Sequence, residues 1–253
     1  MMKKIMMIVV DGMRPDALTA CGHPFVDTMK EEGLYTLTAR TVMPSVTLPC
    51  HMSLFHSVPP ERHGIMTNTY VPQVRPVQGL CEVLRAGGKA SAFFYTWHEL
   101  RDLTGPDSLA FSTFINLHTY ENTDNLITDR CIAYLNDNDL DFVFLYLGET
   151  DMTGHKLGWM TDEYIKTVYN AVDNIERVYN RFKDYTIIVT ADHGGHGRMH
   201  GSDMPEDMTI PLFILGEGKG TLPPEIGIMD IAPTIVKLLG LTPDSEWEGK
   251  PLL

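Results

Sequence analysis

Short apolar runs rich in β-branched residues recur along this chain, separated by longer amphipathic stretches. Runs of this length are typical of strands that are buried on both faces of a parallel sheet. The predicted strands are 4–10, 90–95, 141–147, 185–190 and 211–216. The predicted helices are 24–33, 48–56, 78–87, 122–137, 161–182 and 229–239. This alternation predicts a doubly wound α/β fold, with helices on both faces of a central, largely parallel sheet.

The length of the chain, 253 residues, lies at the upper end of what one α/β domain occupies. Neither an internal repeat nor a low-complexity linker divides the sequence. We therefore expect a single domain over residues 1–253, without a large inserted cap. Two segments, 66–78 and 98–121, have the least regular patterns and are candidate lid or substrate-side loops.

The charge of the chain is acidic, with 20 Lys and Arg against 33 Asp and Glu and a formal net charge of −13. Since no block of basic residues stands out, we expect no nucleic-acid-binding surface. A small phosphate ester is still a plausible substrate for an acidic chain, because bound divalent ions reverse the field locally.

The cysteines and the apolar runs indicate a cytoplasmic protein that is not attached to a membrane. Cys21, Cys50, Cys81 and Cys131 are far apart, which argues against a disulfide framework and against a thiolate metal site. The apolar run from 5 to 10 is too short for a signal peptide and is interpreted as a buried strand. No apolar stretch has the length needed to span a bilayer.

Metal-ligand residue types follow three of the predicted strands. Asp11 follows the first, Glu149 and Asp151 the third, and Asp192 and His193 the fourth. Sites in open α/β sheets form beyond the carboxyl ends of the strands, so these side chains are expected to meet. One such aspartate alone is as easily explained as a helix cap or turn residue. Three strand ends with this pattern are much harder to assign to caps.

Histidines complete the candidate metal site. The stretch "TADHGGHGRMHG" at 190–201 contains three, and His155 lies four residues after Asp151, on the same side of a helical turn. Carboxylates and imidazoles without thiolates suit Zn²⁺, with Mn²⁺ as a possible substitute. His196 and His200 compete for the last ligand position, and His196 lies only three residues after His193, so it would need a tight turn to reach the second ion. His51 either orients a neighbouring group or is a packed, hydrogen-bonded histidine.

A candidate nucleophile, Thr47, stands just before a helical run that begins with Pro49. The plain structural interpretation makes Thr47 an N-cap. The functional interpretation uses the same position, because a helix N-terminus offers free amides to a phosphate group.

In their order and spacing, several motifs resemble those of the alkaline phosphatase superfamily, and within it the nucleotide pyrophosphatase/phosphodiesterase branch. The motifs are "VVDGMRPD", "TLPCHMSLFHSVPPERHGIMTN", "GETDMTGHKLG", "TADHGGHGRMHG" and "DIAPTIVKLLGL". This resemblance implies an alkaline phosphatase-like fold with a two-metal site. One metal would be held by Asp11, Thr47, Asp192 and His193, and the other by Asp151, His155 and His200.

The activity that the resemblance implies is hydrolysis of phosphodiester or phosphoanhydride bonds through a phosphothreonine at Thr47, with two Zn²⁺ ions. The resemblance also places Asn68 against the phosphoryl oxygen that no metal holds. A neutral amide suits a singly charged diester, whereas monoesterases use an arginine there. Arg62 or Arg75 could still enter the pocket.

Two departures from the family pattern affect the expected substrate. Ser57 replaces a glycine, and Leu48 replaces the aromatic residue that follows the nucleophile in nucleotide-cleaving members. A nucleotide substrate is therefore in question unless another aromatic side chain supplies the stacking surface. The candidates, each equally plausible as packing, are Tyr70, Tyr95, Trp97 and Trp159.

Other functions remain as alternatives. A phosphomonoesterase or phosphonate hydrolase could use the same site. A sulfatase is disfavoured because Cys50 is followed by "HMSL" and not by the Cys-x-Pro-x-Arg context. A phosphosugar mutase is disfavoured because such members carry a large inserted domain and a serine nucleophile. A non-catalytic metal-binding protein is improbable because every predicted ligand and the nucleophile are present.

Overall fold

The structure, a computed structural model, describes residues 3–253 and contains an eight-stranded mixed sheet. The strands are β1 (Lys4–Val10), β2 (Gly33–Arg40), β3 (Ser91–Tyr95), β4 (Phe111–Phe114), β5 (Phe142–Leu147), β6 (Tyr185–Thr190), β7 (Thr209–Leu215) and β8 (Gly220–Thr221). Their order across the sheet is β4-β3-β5-β1-β6-β7-β2-β8. All pairs from β4 to β6 are parallel, whereas β7 is antiparallel to both of its neighbours. The predicted largely parallel central sheet is confirmed.

The helices form two groups that flank this sheet. The α-helices of the described residues are α1 (Pro15–Ala20), α2 (Pro24–Glu32), α3 (Thr47–His56), α4 (Pro60–His63), α5 (Leu80–Ala86), α6 (Thr123–Asp137), α7 (Glu149–Leu157), α8 (Asp162–Arg181), α9 (Pro205–Met208) and α10 (Ile231–Leu238). Helices α3, α5 and α10 pack on one another, while α1, α2, α6 and α7 pack around α8. Short 3-10 helices span His98–Leu103 and Ile228–Asp230.

The apolar core forms one contiguous cluster around the central strands. Every residue of β5 and β6 is buried, as is every residue of β1 after Lys4. Helix α8 contributes the apolar stripe predicted from its spacing, and the Thr161 side chain caps it by accepting the amide of Tyr164 at 3.3 Å. The strand ends are therefore held in a rigid setting.

Strands β2, β4 and β8 were not predicted from the sequence. The run "GLYTLTAR" of β2 mixes buried with partly exposed positions, unlike the central strands. Segment 98–121 is less irregular than predicted, because it contains a 3-10 helix and β4. Segment 66–78 has no helix or strand, as expected. No helix within residues 3–253 combines the length and hydropathy needed to cross a bilayer.

Candidate active site

Three adjacent strands in the middle of the sheet, β5, β1 and β6, bring the predicted ligands together. Asp11 directly follows β1, and Asp192 and His193 follow β6. Helix α7 starts two residues after β5 ends, so Asp151 lies in its first turn. The parallel arrangement therefore directs all of these side chains to one edge of the sheet.

The more buried part of the site, which we term the inner set, contains Asp11, Thr47, Asp192 and His193. The Nε2 atom of His193 lies 3.3 Å from Oδ1 of Asp11 and 3.3 Å from Oδ2 of Asp192. The same Nε2 atom lies 3.2 Å from Oγ1 of Thr47. None of the four residues is more than 4% exposed.

The outer set contains Asp151, His155 and His200. The Nε2 atom of His155 lies 3.5 Å from Oδ2 of Asp151, and Nε2 of His200 lies 3.7 Å from Oδ1. The exposed fractions of these side chains are 17% for Asp151, 46% for His155 and 8% for His200. The ring of His193 stacks on that of His200 at a centroid distance of 3.8 Å, so the two sets are in contact.

All three histidines of these sets are held in the same tautomer. In each ring Nδ1–H donates to a backbone carbonyl, which leaves the Nε2 lone pair directed into the site. The acceptors for His155, His193 and His200 are the carbonyls of Arg198, Gly194 and Ser45, at 3.0, 2.8 and 2.8 Å. The Nε2 atoms of His155 and His200 face each other at 3.1 Å without a proton between them. Two lone pairs this close favour a cation in the same space.

The carboxylates give the same indication. Oδ1 of Asp11, Oδ1 of Asp151 and Oδ2 of Asp192 are buried and have no hydrogen-bond partner. Burial raises the pKa of all three groups, that of Asp192 to about 8. Unpaired buried carboxylates are costly unless a cation compensates them. With the imidazole lone pairs, this donor set fits divalent ions such as Zn²⁺ or Mn²⁺.

Thr47 is the first residue of α3, and its N-cap is Val46, which makes no side-chain cap. The interpretation of Thr47 as a plain N-cap is therefore wrong, and its hydroxyl is directed at His193 instead. The amide of Leu48 donates to Oδ1 of Asn68 at 2.9 Å. Because this bond uses the carbonyl oxygen of the side chain, Nδ2 of Asn68 remains available as a donor.

A cavity of about 330 Å³ opens in front of the two sets. Besides residues of the sets and Asn68, its walls include Trp97, Leu117, His118, Met152 and Lys156. This combination offers an apolar wall, an aromatic ring and a cation beside the reactive centre.

Of the four aromatic candidates, only Trp97 lines this cavity. Tyr95 and Trp159 are 7% and 6% exposed and belong to the core, and Tyr70 lines a different cavity. Leu48 is fully buried and is not a wall at all. Because Leu48 stands where nucleotide-cleaving members have an aromatic residue, this position offers no stacking surface.

Tyr146 is a site residue that the sequence pattern did not indicate. Its hydroxyl donates to Oδ2 of Asp11, and its ring borders the cavity. The residue lies inside the apolar run of β5, where an aromatic side chain suggests only core packing. The hydrogen bond to a carboxylate after the neighbouring strand becomes evident only from the sheet order.

Close backbone approach explains two glycines of the motifs. Gly12 has φ +65°, and a Cβ there would lie 3.2 Å from Asp151. Its carbonyl accepts hydrogen bonds from Nε1 of Trp159 at 2.9 Å and from the hydroxyl of Tyr164 at 2.7 Å. A Cβ on Gly195 would lie only 2.2 Å from the ring of Trp159. Gly12 thus leaves room for Asp151, and Gly195 leaves room for Trp159, whose ring packs against those of His155 and His200.

Two further histidines support the site without joining either set. His51 is fully buried and donates from Nδ1 to the carbonyl of Thr47 at 2.8 Å, while burial lowers its pKa to about 3. His51 therefore acts as a neutral brace for the start of α3. Nδ1 of His196 lies 2.7 Å from Oδ1 of the buried Asp207. The side chain of His196 is thus paired away from the two sets.

Helices α6 and α7 cap each other at their N-termini. The carboxylate of Asp124 accepts the amide of Gly148 at 2.8 Å and also the amide of Glu149. In return, Oε1 of Glu149 accepts the amide of Thr123 at 2.6 Å and its hydroxyl at 3.1 Å. Glu149 is therefore a helix cap, and this reciprocal cap fixes the first turn of α7, which carries Asp151.

Comparison of the sequence with known proteins identifies the family of this chain. The model of type I phosphodiesterase / nucleotide pyrophosphatase matches residues 5–83, and that of the metalloenzyme superfamily matches residues 112–243. The chain is 25% identical over 272 residues to ectonucleotide pyrophosphatase/phosphodiesterase family member 7 of Rattus norvegicus, covering 92% of this chain and 62% of that protein. It spans 47% to 62% of the length of three such relatives.

Solved structures share the fold. Murine ectonucleotide pyrophosphatase/phosphodiesterase 5, an inactive threonine-to-alanine variant in complex with AMP, superposes with a TM-score of 0.81 at 15% identity, covering 95% of this chain and 96% of that chain. The phosphonate monoester hydrolase of Agrobacterium radiobacter has a TM-score of 0.77 at 17% identity, covering 99% and 76%.

Fold and site together define an α/β metalloenzyme of the alkaline phosphatase type. The metalloenzyme model alone matches more than half of the chain. The chain belongs to the alkaline phosphatase superfamily, in its nucleotide pyrophosphatase/phosphodiesterase-like branch, and the resemblance seen in the sequence motifs is confirmed.

Proposed function

We propose that this protein hydrolyses phosphodiester or phosphoanhydride bonds of small phosphate esters, using Thr47 as the nucleophile and two divalent ions, Zn²⁺ with Mn²⁺ as a substitute. The observation that carries the proposal is the position of the Thr47 hydroxyl, 3.2 Å from Nε2 of His193 at the N-terminus of α3. The inner set, Thr47 included, would hold one ion and the outer set the other.

The chain's own residues account for binding and positioning. Asn68, oriented by the amide of Leu48, donates from Nδ2 to a phosphoryl oxygen, and the α3 N-terminus favours the negative charge. Oγ1 of Thr47 releases its proton to solvent and attacks phosphorus. The P–O bond to the ester or anhydride oxygen breaks, that oxygen leaves with the electron pair and is protonated by water where its pKa requires, and a phosphothreonine forms. Water then hydrolyses this phosphothreonine. When bound, the two ions supply Lewis acidity that favours the threonine alkoxide and stabilises the leaving oxygen.

The relatives support this proposal. The murine structural neighbour is an inactive threonine-to-alanine variant that holds AMP, a phosphate ester. The rat relative is named for pyrophosphatase and phosphodiesterase activity. We extend both properties to this chain because its motifs carry a threonine and a complete ligand set in the same α/β framework.

We also propose that residues 1–253 form a single catalytic domain located in the cytoplasm, with no nucleic-acid-binding or membrane-binding surface. The support for one domain is the single sheet with one contiguous apolar cluster. The support for a reducing compartment is that all four cysteines are free thiols, three of them buried.

A paired assay tests the activity. Bis(4-nitrophenyl) phosphate and 4-nitrophenyl phosphate share a leaving group and differ in charge. We expect the Zn²⁺-loaded protein to turn over the diester faster, EDTA to abolish turnover, and added Zn²⁺ or Mn²⁺ to restore it. Mass spectrometry of acid-quenched protein should detect phosphate on Thr47. If the metal-loaded protein hydrolyses neither ester, the proposal is wrong.

A phosphomonoesterase or phosphonate hydrolase is the second candidate, and Lys156 favours it. This exposed side chain lines the cavity, and it has no ion-pair partner within the described part of the chain. Its charge could compensate the second negative charge of a monoester. If so, Lys156→Gln should lower monoester kcat/KM more than diester kcat/KM, whereas Lys166→Gln, an exposed control on α8, should change neither.

A further inference from the structure

A second cavity, of about 800 Å³, lies apart from the candidate active site. It shares no lining residue with the first cavity. Its walls come from the C-terminal half of α3, segment 70–78, the start of α5 and segment 101–109. None of these residues has a role in the proposed hydrolysis.

A half-satisfied carboxylate borders this cavity. Oε1 of Glu82 accepts hydrogen bonds from the amide of Gly105 and from the hydroxyl of Ser108, the latter at 3.1 Å. Oε2 of the same carboxylate is buried and has no hydrogen-bond partner. The two bonds to Oε1 hold the group in place while its second oxygen lacks a donor.

A histidine presents a second acceptor beside it. His56, in the last turn of α3, is 6% exposed, and Nδ1–H donates to the carbonyl of Met52 at 3.1 Å. Burial lowers the pKa of His56, so the ring is neutral near pH 7 and Nε2 carries a lone pair. No bond to Nε2 of His56 is found in residues 3–253.

Both acceptors border one small space next to Gly79. A Cβ added to Gly79 would lie 2.7 Å from Oε2 of Glu82 and 3.0 Å from Nε2 of His56. No ion pair joins the two side chains within residues 3–253. The buried carboxylate oxygen of Glu82 and the imidazole lone pair of His56 therefore converge without a donor from residues 3–253, and leaving the buried carboxylate oxygen unpaired is costly.

The chemistry of these acceptors selects the ligand. A group with several N–H donors and a positive charge satisfies both, whereas a quaternary ammonium has no N–H to donate. A structural zinc ion usually needs four ligand atoms. Within residues 3–253, we identify two that converge here, Oε2 of Glu82 and Nε2 of His56. Arg101 also lines the cavity, but its Nε atom lies 3.6 Å from Oδ2 of Asp102, which already balances its charge. Tyr70 forms part of the wall.

We propose that this cavity binds a small molecule through a primary ammonium group, whose N–H bonds are accepted by Oε2 of Glu82 and Nε2 of His56. The alkyl part of the ligand would lie along Met52 and Tyr70. Because α3 begins at Thr47 and ends at His56, the ligand would contact the helix that carries the proposed nucleophile.

The probe is n-butylammonium chloride, titrated into ¹⁵N-histidine-labelled protein, with tetramethylammonium chloride at equal ionic strength as the control cation. We expect a saturable shift of the His56 Nε2 resonance with n-butylammonium only. Glu82→Gln should weaken the affinity about tenfold or more, because a charged hydrogen bond is lost. Gly79→Ala should do the same by placing a methyl group in the space, and its φ of −84° accommodates alanine.

Asp107→Asn is the matched control, since Asp107 lines the same cavity but pairs with Arg85 at 3.1 Å. Affinity within about twofold of wild type is expected there, and thermal unfolding would verify that each variant is folded. Three results would each overturn the proposal: no saturable shift, equal shifts with both cations, or equal losses in Asp107→Asn and Glu82→Gln. The comparison of the two cations needs only the wild-type protein.

Discussion

The inner and outer sets both combine aspartate with histidine, but they are built differently. Asp11, Asp192 and His193 lie within three residues of the ends of central strands and are almost completely buried. The outer set is built on α7 and the loop that ends at His200, and the side chain of His155 is 46% exposed. Ligands on strand ends are positioned by the sheet itself, whereas the outer ligands depend on caps and loop contacts. We therefore expect the inner set to bind its ion more tightly and the outer set to exchange its ion more readily.

The largest effect is expected at Thr47, the proposed nucleophile in the inner set. Thr47→Ala removes the hydroxyl but leaves Asp11, Asp192 and His193, so both ions should remain bound while turnover falls about a thousandfold or more. Metal analysis and diester kcat measure the two properties separately. Thr47→Ser retains a hydroxyl and should recover part of the activity. Near-normal turnover in Thr47→Ala would remove this residue from the mechanism.

Removing a proposed ligand of the outer set should show whether the two sets bind their ions independently. His200→Ala is expected to lose one ion and most activity, while the inner ion remains. His196→Ala should retain both ions, because its side chain is paired with Asp207, and should cost about ten- to a hundredfold in activity. Elemental analysis of both variants, together with diester kcat/KM, tests this. The opposite ranking would make His196 the ligand.

The preference for singly or doubly charged substrates should depend on Asn68, which lies beside both sets. Asn68→Ala should weaken diester turnover by about 3 kcal/mol at most, the scale of one transition-state donor. Asn68→Arg should raise monoester turnover relative to diester turnover, because a guanidinium compensates the second charge. The diester-to-monoester ratio of kcat/KM, measured with one leaving group, provides the test. A wild-type ratio below one that neither substitution changes would favour the monoesterase alternative.

The smallest effect concerns the metal-free inner set. Burial raises the pKa of Asp192 from the ordinary 3.8 to about 8, so the folded protein keeps a proton that the unfolded chain has released. The free energy of unfolding of EDTA-treated protein should therefore fall as pH rises from about 4 to about 8. Thermal unfolding between pH 5 and pH 8 measures this. Asp192→Asn should make the dependence less steep without removing it, because burial also raises the pKa of Asp11 and Asp151. A metal-free Tm that rises across this range would contradict the assignment.

The sequence allowed the central strands to be predicted because each is a continuous apolar run. It also indicated Asp11, Asp151, Asp192 and His193 as candidate ligands, since the residue types after β1, β5 and β6 are unusual for plain turns. Strand β2 was missed because its mixed burial gives no continuous apolar run. The antiparallel direction of β7 was also missed, because local composition does not encode strand direction.

The supporting contacts were harder to predict than the ligands. Tyr146 lies in an apolar run, and Asp124 lies in the first turn of α6, where an acidic residue is ordinary. Their roles depend on which segments become neighbours across the sheet. The pairing of His196 with Asp207 likewise joins a loop to helix α9, and only the fold brings the two side chains together. Long-range hydrogen bonds of this kind leave no periodic signal in the sequence.

The reciprocal cap between α6 and α7 has a consequence for local opening of the fold. Each helix start is completed by a carboxylate of the other, so unravelling one first turn also leaves buried polar groups of the other without partners. Amide hydrogens of Thr123, Gly148 and Glu149 should therefore exchange with solvent deuterium as one cooperative unit. The turn that presents Asp151 thus gains protection from α6, more than 20 residues earlier in the chain.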